Sequence, residues 1–191
     1  MLRKWYLHFD SKAYGPAVGE LLGLDGEGER LIPLVADQCS SAEAARRLSQ
    51  TTAPELFAKS YSPEAAFAGL WLYFSCFEEA HRVAQELHAP EGSFWHAILH
   101  RQEPDSGNAA YWFRRVGTHK IYGALFKETE EIVIRYPQAE FRPGSHWDPF
   151  AFVMFCERAR KQPGSPSERA ALEIQRAEWQ LLFDYCARPR S

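Results

Sequence analysis

The segment from Ser93 to Lys120, SFWHAILHRQEPDSGNAAYWFRRVGTHK, gathers side chains that can do chemistry. On a helix starting at Phe94, His96 and His100 stand four residues apart, within about 40° on one face, and Glu103 continues the stripe. Two imidazoles at that spacing can chelate a divalent ion, and a carboxylate can add a ligand or serve as general base. The glutamate that directly follows the first histidine in zinc-protease helices is missing, which argues against that enzyme type. In the competing expectation, Phe94, Trp95, Ile98 and Leu99 form the packing face and the histidines are hydrogen-bonded at its edge.

A second pair, Glu78 and His81, extends the apolar stripe of Phe67, Leu70, Trp71 and Phe74, where a carboxylate and an imidazole need polar partners. Their spacing is also that of di-iron four-helix ligands, but no second copy accompanies it, so a buried polar network is the stronger expectation. The metal candidates are therefore His96, His100, Glu78 and His81. The third cluster is basic and aromatic: Arg101, Arg114, Arg115, His119 and Lys120 can converge on a phosphate or carboxylate, with Trp95 beside them. A solvated arginine face is the alternative. His146 and Trp147 can add an aromatic wall. Phosphate loops, nucleophile elbows and dinucleotide fingerprints are absent, and no cysteine stands beside a histidine in a recognisable catalytic signature.

The elements that must position these groups read as helices. Proline at the first helical position follows a capping residue at Ser62-Pro63, Asp148-Pro149 and Ser165-Pro166, the last with Glu168 completing a capping box. Strand signals are nearly absent; Ile132-Val133-Ile134 continues a helical spacing up to Pro137. The run from Ala65 to Phe77 is apolar almost all round, as a buried helix is. The expected fold is all-α: a single-domain helical bundle over residues 1–191, with a buried central helix at about 63–87 and a helical hairpin at about 94–116. Residues 1–60, richer in glycine and short helices, look like a peripheral helical subregion.

The chain of 191 residues suits one domain, and its 27 aromatic residues exclude a disordered chain. With 22 basic and 25 acidic residues the formal charge is −3, so no global field draws it to nucleic acid or an anionic membrane. Cys39, Cys76, Cys156 and Cys186 form no C-x-x-C pair, and Cys76 and Cys156 read as small buried hydrophobes in a reducing compartment. His8 and Asp10 interrupt any signal-peptide core, and no apolar run is long enough to cross a bilayer. A soluble, cytoplasmic protein is expected.

Asp105, Ala109, Trp112, Phe113 and Arg115 have the spacing of the second half of a tetratricopeptide-like unit. The segment resembles a single such hairpin over about 25 residues, without the second copy an array needs. Trp95 to Arg101, Asp105 to Asn108 and Tyr111 to Gly117 together look like a group of helical proteins of unknown function; that likeness implies relatives and no reaction. Three functional expectations follow. The first is a binding protein holding an anionic small molecule or peptide with Trp95, His96, His100, Arg101, Arg114, Arg115 and His119. The second is a metal-dependent or acid-base enzyme using His96, His100 and Glu103. The third is a structural interaction module.

Overall fold

The structure, a computed structural model, describes residues 9–189; the reading of the N-terminus against a signal peptide rests mainly on residues outside that range. Among the described residues there are ten α-helices and no strand. They are α1 (Pro16–Leu22), α2 (Ala42–Ser49), α3 (Ala53–Phe57), α4 (Pro63–Tyr73), α5 (Phe77–Gln85), α6 (Pro90–Gln102), α7 (Ser106–Val116), α8 (Tyr122–Arg135), α9 (Pro149–Ala159) and α10 (Pro166–Ala187). The all-α bundle and its hairpin, α6 and α7, are as expected, and proline opens α4, α9 and α10 where the capping signals place it. Asp148 and Ser165 do cap: their side chains accept from backbone N–H groups of the first helical turn.

The expected helix over 63–87 is two helices. It breaks at Phe74 to Cys76, where Ser75 takes φ +57° and the chain restarts as α5 with Glu78 and Glu79 in its first turn. The cause lies far away in sequence. The last carbonyls of α4 are taken by the N-terminal segment: Arg30 Nη1 donates to the Tyr73 carbonyl, and the Ser40 amide donates to Phe74 at 2.7 Å. Cys76 is bonded to Cys39, which corrects the reading of Cys76 as a free buried hydrophobe and removes that support for a reducing compartment. No helix of the described residues is long and apolar enough to cross a membrane.

The most enclosed helix is α6, in which every residue from Glu91 to Gln102 is buried. Its own sequence carries no strong amphipathic pattern because α4, α5, α7 and α9 all pack around it. Gly69 lets α4 and α6 approach: a Cβ there would stand 2.6 Å from the Trp95 ring. Two apolar clusters share α10. Trp179, Phe183 and Cys186 join the larger one with α4, α6 and α7, while Ile174 and Ala177 join a smaller one with α8 and α9. Leu22, Ile32, Leu48 and Phe57 lie in the larger cluster, so the described residues before α4 help build the core rather than sit at its periphery.

Candidate functional site

Three imidazoles meet where α5 crosses α6. His81 comes from α5; His96 and His100, one turn apart, come from α6. His81 Nε2 lies 3.0 Å from His96 Nε2, and one nitrogen of each of the three rings falls within 4.8 Å of the others. The His81 and His100 ring centres are 5.5 Å apart, and those of His96 and His100 are 4.7 Å apart in a stack. Ligand nitrogens about 2.0–2.1 Å from a tetrahedral metal are about 3.3 Å from each other, a separation near that of His81 and His96, with the His100 nitrogen within 4.8 Å of both.

The surroundings hold the rings in place. His96 stacks on Trp112 of α7 with centres 3.9 Å apart, and Arg115 lies over the same indole at 5.2 Å. Burial, and then the proximity of His100 and His81, lowers the His96 pKa to about 3, so its imidazole is neutral at physiological pH. His100 Nδ1 lies 2.8 Å from Glu103 Oε2, an arrangement in which the carboxylate accepts the Nδ1 proton and leaves Nε2 as the lone-pair nitrogen. The Asn108 amide nitrogen is 3.1 Å from His100 Nε2 and 3.3 Å from Nδ1, flanking the ring without singling out one nitrogen. His96 and His100 are buried, His81 is half-buried and Glu103 is exposed, so the triangle sits just beneath the surface.

The expected site residues are thus divided. His81, His96, His100 and Glu103 come together, whereas Glu78 is exposed on the first turn of α5. The arginines do not converge. Arg101 lies inside the core with no exposed side-chain surface, its guanidinium donating to both Glu178 oxygens and to Gln175, with the Phe152 ring 4.6 Å away. Trp95 is fully buried against α4. His119 is buried between Phe94 and Tyr185 with Glu91 Oε1 3.8 Å from its Nε2, and the nearby imidazole holds Glu91 below the usual carboxylate range. Arg114 lies over Phe150, away from Arg115 on Trp112. Arg101 and Trp95 therefore build the core; the idea of one anion cradle shared by Arg101, Arg114, Arg115 and His119 is corrected.

Asn108 and Trp112 were not expected at the site. Both lie on the α7 face turned toward α6, four residues apart, a spacing that fixes a shared face but not what that face meets. A second group, Cys39, Cys76 and Glu79, is also compact, but its sulfurs are joined to each other. The free cysteines offer no nucleophile: burial pushes the Cys156 pKa up to about 12 and raises Cys186 well above the usual thiol value. Comparison of the chain with protein-family models, curated proteins and solved structures finds no match.

Proposed function

We propose that the protein binds one divalent transition metal of the zinc class at His81, His96 and His100, and that this centre supports metal-activated hydrolysis. The convergence of three ring nitrogens from two helices carries the reading. Imidazole suits zinc, copper, iron and nickel, and three protein ligands leave a fourth position for water. A metal held there would lower the pKa of a bound water and so supply a nucleophile near neutral pH. Glu103 acts as a positioning residue: by accepting the His100 Nδ1 proton it sets the tautomer and ring orientation, as carboxylates behind metal-bound histidines do. Trp112 closes the inner side of the site, and the exposed Glu103 side marks the route for solvent and substrate.

The test is titration of the chelator-treated chain with Zn2+ alone, together with hydrolysis of an activated aryl ester by the zinc-loaded and zinc-free forms. One equivalent should bind with a dissociation constant in the micromolar range or below. His81→Ala and His100→Ala should each weaken it by at least about tenfold while leaving the zinc-free melting curve cooperative. Ester hydrolysis should appear only with zinc and disappear in both variants. If zinc fails to bind, the histidines are a hydrogen-bonded clasp between α5 and α6. If it binds without zinc-dependent hydrolysis, the metal is structural.

A further inference from the structure

On the side of α7 opposite Trp112, a groove of about 740 Å³ opens between α7, α8 and the segment leading into α9. Its volume falls in the range that encloses small organic ligands. Phe113, Tyr122, Trp147 and Phe150 supply aromatic walls. Arg114 is the one lysine or arginine of the lining, exposed and without an ion-pair partner among the described residues; its guanidinium stands 5.8 Å from the centre of the Phe150 ring. The acid nearby, Asp148, caps α9: its Oδ1 accepts from the Phe150 and Ala151 amides, and the N-terminal dipole of α9 offsets part of its charge.

Two further features point to a ligand. Trp147 is 4 % exposed, yet its Nε1 has no hydrogen-bond partner, and neither has the buried Tyr122 hydroxyl. Buried donors are normally satisfied, and the protein supplies no acceptor for these two. Gly123 occupies the first turn of α8, where glycine weakens a helix relative to alanine. Packing does not require it, because a Cβ there would meet nothing within 4 Å; its effect is to leave groove space clear.

We propose that this groove binds a small planar aromatic carboxylate, its ring held among the aromatic walls and its carboxylate on Arg114. The groove offers apolar stacking surface and one guanidinium without an ion-pair partner among the described residues, which match an apolar body carrying one anionic group. This site is separate from the histidine cluster and does not depend on metal.

The probe is 2-naphthoate, titrated calorimetrically into the full chain, with 2-naphthalenemethanol as its uncharged counterpart. Naphthoate should bind with one-to-one stoichiometry. Arg114→Gln should weaken it by about tenfold or more and leave the alcohol unchanged. Gly123→Leu should weaken both by filling the groove. Both positions are exposed, so both variants should melt as the parent does. An independent readout in the parent chain is the indole N–H resonance of Trp147, which naphthoate should shift while that of Trp179, in the larger core, stays in place. No binding by the parent, parental naphthoate affinity in either variant, or an unmoved Trp147 resonance overturns the proposal.

Discussion

Replacing Arg101 with methionine separates a core residue from a ligand-binding one. Arg101 and Glu178 have no exposed side-chain surface, and the guanidinium donates to both carboxylate oxygens and to Gln175, joining α6 to α10. In Arg101→Met the apolar stem still packs on Phe152, but Glu178 is left as an unpaired buried charge. Breaking such a pair from one side costs about 3–5 kcal/mol. At roughly 2–4 °C per kcal/mol for a chain of this size, the melting temperature should fall by about 6–20 °C. Burial already raises the Glu178 pKa, opposed by Arg101; without Arg101 the neutral acid becomes the preferred buried form. A carboxyl whose folded pKa is raised is least unfavourable below its unfolded value and becomes destabilising as pH rises through that range. The variant's deficit should therefore be small near pH 4 and larger at pH 7. Replacing both residues, Arg101→Met with Glu178→Leu, should recover most of the loss, because an apolar pair of similar volume removes the orphaned charge. Urea unfolding followed by circular dichroism at both pH values measures all three variants. A loss below about 1 kcal/mol at pH 7, or a double variant as unstable as the single, would refute the buried-pair reasoning and reopen Arg101 as a residue for ligands.

Four other outcomes follow from the same geometry. The Cys39–Cys76 bond closes a loop of sequence separation 37, so its reduction should lower stability by roughly 4 kcal/mol by the chain-entropy relation, read as a lower urea midpoint in reductant. The His96 pKa is lowered to about 3, so the unfolded chain binds the extra proton first; in metal-free protein, stability should decline as pH falls from 6.5 toward 3, and His96→Gln should flatten that slope. Trp112→Leu removes the indole stacked on His96 and should raise the zinc dissociation constant by about 10–100-fold in competition with a chromophoric chelator, a change a purely structural indole would not produce. Gly69→Ala places a methyl 2.6 Å from the Trp95 ring and should lower stability by about 1–3 kcal/mol in thermal melts.

Much of the fold is written locally. Prolines at first helical positions, the caps at Asp148 and Ser165, and the apolar run before Glu78 fix where α4, α9 and α10 begin, because each acts within one helical turn. The helical spacing of Ile132 to Ile134 is likewise resolved locally, within α8. The pairing of His96 and His100 follows from the 3.6-residue period alone. What tertiary structure decides is which distant groups meet. The break at Ser75 depends on Arg30, Ser40 and Cys39 reaching the end of α4. His81 joins His96 only because that break redirects α5 across α6, and Arg101 turns inward because Glu178, 77 residues away, waits in the core. Sequence determines the stripe a side chain occupies on its helix; only packing determines what that stripe faces, because contacts between helices have no local period to betray them.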